Sequence, residues 1–478
     1  MKFRTLKLLG LGDLNIHKAL YRIIFVCVIL AVAVYGRAAD TLSLDEYLTV
    51  ISQNYPLVKK ADLYDEFTEA YAVKGRGAFD PKIGSNFQAK NFSDENYYRI
   101  WHTEATIPTR YPIDFSVGYE RNDGSFLNAE NNVPNHGLLY GSINLSLVRG
   151  LMFDEQRYHM QVAELRGAKS QIEQDILTRE IIFQAINTYL DWTITHEQRL
   201  IVENYLSTIQ VRHQNIIRLF ENGDKPSIDT IESRLNLNTA TKILLETSRE
   251  LIIKQQKLSL FLWDDAGNPL TAPDSISPEP LSDLLDRLDQ ISEIQNPQFV
   301  NDPTIRKIEN QIDLLATKNR LERENLKPQI DLKYNALVNV GKEQVEPSLN
   351  LNDYKFGVKV EVPIRNRKTR GELRLNEILV EQARLDQSQY QQQLYIKYEG
   401  LMRSRSIQEN VVDVAGEKIF NSTALYEAET LKFDLGESSV FLLNQRELKL
   451  LEAQMELIKS YKFLGSILSD LYYLKLGQ

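Results

Sequence analysis

The stretch FENGDKPSID, Phe220–Asp229, interrupts a long helix-compatible tract. Upstream of it no proline occurs after Pro134, and downstream none occurs until Pro269. Gly223 can take the left-handed conformation that ends an incoming helix. Pro226 cannot continue that helix, because its ring clashes with the preceding turn and it has no N–H. Ser227 is placed to cap an outgoing helix with its hydroxyl. The stretch therefore predicts the tip of a helical hairpin. KFDLGESSVF, Lys432–Phe441, repeats the pattern, with Gly436 as the stop and Ser438 or Ser439 as the cap.

The two tips belong to a larger duplication. NYPLVKKA from Asn54 and NDPTIRKI from Asn301 share asparagine, proline and lysine at a separation of 247 residues, as do PKIG from Pro81 and PQID from Pro328. The tip glycines, Gly223 and Gly436, are only 213 apart, and INLSLV near Leu147 precedes VKVEVP at Pro363 by 216. The first half thus carries about 31–34 extra residues, mostly between Pro81 and Leu147. They are either an added strand hairpin or a longer loop pair. GSFLNAENNVPNHG, Gly124–Gly137, reads as exposed loop. A repeat this long is a duplicated architecture and not a short solenoid period.

Each half reads helix, strands, helix, break, helix. The first helices are expected over about Leu44–Val73 and Pro303–Leu326. Ile330, Leu332, Tyr334, Ala336, Val338 and Val340 alternate with Asp331, Lys333, Asn335 and Asn339. Tyr354, Phe356, Val358, Val360, Val362 and Ile364 alternate with Lys355, Lys359 and Glu361, and Ile83, Phe87 and Ala89 with Lys82, Asn86, Gln88 and Lys90. Period two is the mark of a strand with unlike faces, and such lengths suit a tilted strand crossing a bilayer. Leu151–Phe220 holds no proline and one glycine, Gly167; as helix it would run about 100 Å at ~1.5 Å per residue. Leu443, Leu450, Leu457, Leu464 and Leu471 recur every seven residues, a seam for a neighbouring helix. The reading divides the chain into a leader (1–38), a first repeat (39–263), an irregular proline-rich linker (264–300) and a second repeat (301–478). Strands are expected over about 81–148 and 328–364, and hairpins over about 151–263 and 366–476.

Composition narrows the function. The leader is basic, followed by an apolar run, Ile23–Val34, and small residues that suit cleavage after Ala38 or Ala39; the alternative is an uncleaved anchor. Cys27 is the sole cysteine, so an exported chain would carry no disulfide or thiolate metal site. The first 38 residues hold six Lys/Arg and one Asp, so their removal takes the formal charge from −9 to −14. That acidity argues against nucleic acid and suggests a lumen that prefers cations. The six histidines show no paired metal spacing, and no phosphate loop or nucleophile elbow occurs. No enzyme, cofactor or metal is expected. An open sheet cannot sit in lipid, because its edges leave backbone groups unpaired. One chain offers four to six strands, so several copies must close one barrel.

The order leader, LSLDEYLTVISQNYPLVKKA, strand pair, INTYLDW, ENGDKPSIDTIESR, then a second copy through PQIDLKYNALV, VEVPIRN and GESSVFLLNQRELKLLEAQ, resembles the TolC-type outer-membrane efflux channels over nearly the whole mature chain. The resemblance implies a mainly α fold with transmembrane β: a homotrimer sharing one β-barrel in outer-membrane lipid, with a long α-barrel in the periplasm. It implies a passive exit duct for small molecules in a tripartite efflux system, served by a periplasmic adaptor and an inner-membrane pump or ABC exporter. Alternatives are the exit duct of type I protein secretion, or a coiled-coil adaptor that forms no channel. It also implies a tip that opens as its coils untwist. There Asp229, six residues after Gly223, would bond to a neighbouring coil; the plainer role is to favour the helix dipole. Positions near Leu442 and Gln445, acidic in some relatives, are not acidic here. Asp434 and Glu437 would form a negative ring instead, or are merely solvated. With Gly223, Pro226, Ser227, Asp229, Gly436 and Ser439 they make up the candidate gate.

Overall fold

The computed structural model describes residues 41–295, 297–340 and 352–477. The leader reading falls outside the described residues. The chain opens with β1 (Thr41–Leu42), α1 (Leu44–Asn54) and α2 (Pro56–Arg76). Four strands follow: β2 (Lys82–Phe92), β3 (Glu95–Ile107), β4 (Ile113–Asp123) and β5 (Leu138–Ser146). The first hairpin is α3 (Glu155–Glu221) and α4 (Ser227–Ser259). Then come β6 (Ser277–Pro278), α5 (Leu281–Ser292), α6 (Pro303–Asn325), β7 (Gln329–Asn339) and β8 (Tyr354–Glu361). The second hairpin, α7 (Arg367–Asp434) and α8 (Val440–Lys475), completes the fold.

Two expectations are corrected. Leu44–Val73 is not one helix: Tyr55 is extended, and Pro56 takes the first position of α2, where its missing N–H is harmless. The true counterpart of α6 is α2, each led by its proline. Nor is the linker wholly irregular. Its prolines flank Leu281–Ser292 without entering it, and Leu281, Leu284, Leu285 and Leu288 make one buried stripe. β6 pairs in parallel with β1, so each repeat opens with a short strand and a short helix.

The helices lie four abreast. Near the sheet the order is α2-α3-α6-α7; toward the tips it is α4-α3-α8-α7. α3 and α7, of 67 and 68 residues, run through both layers, each about 100 Å long at ~1.5 Å per residue. The main core lies where the layers meet. Leu44 and Tyr47 of α1 and Leu284 and Leu288 of α5 pack there with Ile186, Tyr189 and Trp192 of α3 and Leu468 of α8. Beside it Arg179 is buried against Asp302, which caps α6, at 2.6 Å, with its guanidinium 4.4 Å from the Tyr473 ring. The leucine heptad of α8 is only partly buried: Leu443 and Leu471 are covered, while the buried stripe drifts through Glu447, Leu451 and Ile458. A straight helix drifts in this way against a strict seven-residue repeat.

The six long strands form one antiparallel sheet in the order β2-β3-β4-β5-β7-β8. The extra residues of the first repeat are therefore an added hairpin, β3–β4, followed by a loop.

Candidate channel lumen and tip

The register of the sheet sorts its side chains into two faces. Ile83 and Phe87 of β2, Trp101 and Ala105 of β3, and Phe115 and Val117 of β4 share one face. Leu139 and Ile143 of β5, Leu332 and Tyr334 of β7, and Phe356 and Val358 of β8 continue it. The other face is polar and concave, its hollow lined by Glu104, Asp114, Ser116, Asn144, Asp331 and Lys333 among others. Strands of 8 to 13 residues with an apolar convex face have the length and polarity of barrel staves.

Cross-strand bonds organise the polar face. Ser142 donates to Asn335 at 2.8 Å and Ser146 to Asp331 at 3.0 Å, joining β5 to β7. Ser116 donates to Glu104, which also lies 3.5 Å from Lys333. The Tyr140 hydroxyl meets the His102 ring nitrogen at 2.5 Å. The Tyr140 ring lies across Gly118, where a Cβ would come within 2.2 Å of it, so a larger residue would displace the ring. Lys82, Lys90, Lys333, Lys355 and Lys359 on this face are matched by Glu104, Asp114, Glu120, Asp331 and Glu361. The excess acidity of the chain is thus not concentrated here, and total charge was a poor guide to the lining.

At the other end, both tips use one device. Gly223 has φ 83°; its N–H donates to the Phe220 carbonyl, and the Asp224 N–H reaches back to Leu219 at 2.8 Å. Gly436 has φ 78°, with the same bonds to Phe433 and, from Glu437, to Lys432. Both are Schellman caps, satisfying carbonyls that a helix end would otherwise orphan. Ser439 caps α8, its hydroxyl accepting from the Leu442 N–H at 3.2 Å, while Ser438 donates to Glu429. The expected cap at Ser227 is absent. Pro226, extended at ψ 158°, occupies the cap position, so Ser227 is already helical and its hydroxyl caps nothing. The Asp229 N–H donates to the Pro226 carbonyl, and its half-exposed carboxylate stands in the first turn of α4. That position favours an anion through the helix dipole. Asp434, Glu437 and Pro226 are exposed.

The tips are held together by residues that sequence reasoning did not single out. Lys225 lies 4.6 Å from the Phe433 ring, bridging one tip to the other. Deeper in the coils, Arg212 of α3 donates to Glu447 of α8 at 3.0 Å, to Tyr426 of α7 at 3.0 Å and to Asn444 at 3.3 Å. Asn236 of α4 also donates to Asn444, so all four helices meet in one polar knot. Burial pushes the Glu447 carboxyl above its ordinary value, and the opposing pull of Arg212 does not fully offset this. The available signal was a charge set within an apolar stripe: Val202, Tyr205 and Ile209 lead to Arg212, and Leu443 to Glu447.

No protein-family model and no curated protein matches the sequence. Solved structures do match. The fold is that of the TolC-type outer-membrane channels. CusC, whose structures concern folding and transmembrane channel formation, shares it with a TM-score of 0.66 and 14% identity over 92% of this chain and 94% of that one. The CmeC outer membrane channel of Campylobacter jejuni gives 0.62 and 11%, over 91% and 86%. The MtrE outer membrane channel of Neisseria gonorrhoeae, in its open state, gives 0.62 and 14%, over 91% and 88%. At such identities the TolC-type fold is shared while few side chains are.

Proposed function

We propose that this chain is an outer-membrane channel-tunnel, a passive duct for small molecules, with most of its mass in the periplasm. The carrying observation is the sheet itself: its apolar convex face suits lipid and its concave face suits water, with helical layers leading from it to capped tips. Apolar residues left exposed on the outermost helices support assembly from copies of this chain. Ile228, Ile231, Leu235 and Leu245 are exposed on α4, and Ile407, Val414 and Leu431 on α7. Three copies would close the layers into a homotrimer. A tripartite pump, with a periplasmic adaptor at the tips, would feed the duct. Gly223, Asp229, Asp434, Gly436, Glu437 and Ser439 would frame its periplasmic aperture. Opening would come from untwisting the hairpins, with Asp229 reaching a neighbouring coil.

The test is fractionation and conductance. A carbonate-resistant, heat-modifiable trimer in outer membranes that conducts ions in planar bilayers is expected. A soluble monomer without conductance would instead favour the periplasmic coiled-coil reading. Sensitivity of a deletion strain to toxic compounds, with co-purification of a pump, would then identify the cargo.

A further inference from the structure

β2 and β8 end the sheet, and among the described residues each pairs on one side only. The duplication shows how those edges meet. β7 follows β2 by 247 residues, as Pro328 follows Pro81. β8 corresponds to β5, and the faces fix the separation at 215, one less than the sequence match suggested. Asn144 and Ser146, on the polar face, then align with Lys359 and Glu361, and Ile143 with Val358. The contact of β5 with β7 thus joins the end of one repeat's strands to the start of the next. A contact of β8 with β2 of a partner subunit would be the same junction made between chains.

We propose that β8 pairs antiparallel with the partner's β2 in the register used inside the chain by β5 and β7, each subunit supplying six staves. Asn144 faces Lys333 and Ser146 faces Asp331 within the chain. Transferred, Lys359 faces Asn86 of the partner subunit, and Glu361 faces Gly84 of the partner subunit. Every transferred pair keeps like faces together: Val358 falls beside Phe87 of the partner subunit on the apolar side.

The widths agree with six staves. Four helices abreast span about 36 Å at roughly 9 Å each. Strands about 4.8 Å apart and tilted about 40° span about 25 Å if four and about 38 Å if six. At that tilt six strands come closer than four to the arc of the helices they continue. Resting on the channel reading and its three copies, the closed barrel has eighteen strands. Its backbone diameter is about 36 Å, against about 24 Å for twelve strands. The duct then does not narrow where it enters the membrane, and the added hairpin sets the width of its outer exit.

The test is cysteine cross-linking in outer membranes of the full chain carrying N86C with K359C, and Cys27→Ser to remove the native thiol. Antiparallel partners have Cα atoms about 4.5–5.5 Å apart, within disulfide range. Oxidation is expected to give a ladder ending at covalent trimer, at least tenfold more than the off-register pair K90C with K359C. End-on electron cryo-microscopy should show a backbone ring of about 36 Å. Preferred linkage of the off-register pair, a ladder ending at dimer, or a ring near 24 Å in a conducting membrane protein would overturn the stave count and leave the channel reading standing. A chain absent from the membrane and without conductance would overturn both.

Discussion

Replacing Arg212 with methionine tests whether the polar knot holds the two hairpins together. The guanidinium is the shared partner of Glu447, Tyr426 and Asn444, and the Arg212 and Glu447 side chains are 11% and 5% exposed. Removing one member of a buried pair leaves the other charge uncompensated, which costs about 3–5 kcal/mol. At about 1.4 kcal/mol per tenfold, local opening of the tips should become a hundred- to several-thousand-fold more frequent. Hydrogen exchange at the Asp224 and Glu437 amides, which close the Schellman caps, reads that opening directly. Glu447, already shifted upward by burial, should take up a proton once the cation is gone. The R212M defect should therefore shrink as pH falls from 8 to 5. Adding E447L should restore protection, because the stranded charge disappears along with its partner. Tip exchange within threefold of the parent in R212M, or no recovery in the double variant, would refute the reasoning. The knot would then be an incidental contact of the coils.

Four further outcomes follow from single contacts. Gly223→Ala meets no neighbour within 4 Å, so its cost is the left-handed backbone alone; about 1–2 kcal/mol of tip stability should be lost, seen as faster proteolysis there. Asp302→Ala leaves Arg179 buried without its carboxylate and should lower stability by about 3–5 kcal/mol in thermal melts. Burial works to raise the Asp191 carboxyl, but hydrogen bonds and charges from Lys254 and Lys462 outweigh it and hold the group below its ordinary value. Its contribution to stability is thus present above about pH 4, where the unfolded carboxyl has already ionised, and is lost as pH falls through the lower folded value; Asp191→Asn should flatten that acid-side loss in melts. Val358→Arg on the convex face should lower membrane assembly by about 2–4 kcal/mol, whereas Asn144→Arg on the concave face should assemble normally and change only ion selectivity.

The fold was legible wherever a local rule acted alone. Gly223 and Gly436 announced the hairpin tips because few residues other than glycine tolerate a positive φ. The strands were visible because a sheet with one apolar and one polar face sets opposite polarities at alternate residues, a pattern that survives without any shared motif. Legibility failed where two rules competed for one residue. At Ser227 the hydroxyl suits a cap, but Pro226 is fixed near φ −75° and extended, so it takes that place first. At Pro56 the helical pattern runs through on both sides, and only the chain's turn at Tyr55 decides that it starts a helix.

The candidate gate and lumen were harder to read, because their contacts join elements far apart in sequence. Arg212 and Glu447 are 235 positions apart, and His102 and Tyr140 lie on strands that are not even adjacent. Neither pair has a spacing a sequence could display. The added hairpin differs in kind. Its presence could be counted from the shortfall between the 247- and 216-residue separations, though its form could not. A loop of that length would leave the sheet about 25 Å wide above a helical layer of about 36 Å. On the channel reading three such sheets would still close, with every edge paired, into a twelve-strand barrel narrower than the helical layer beneath it. Folding the extra residues into two staves removes that narrowing. On the channel reading the hairpin is thus not what closes the barrel but what sets its bore.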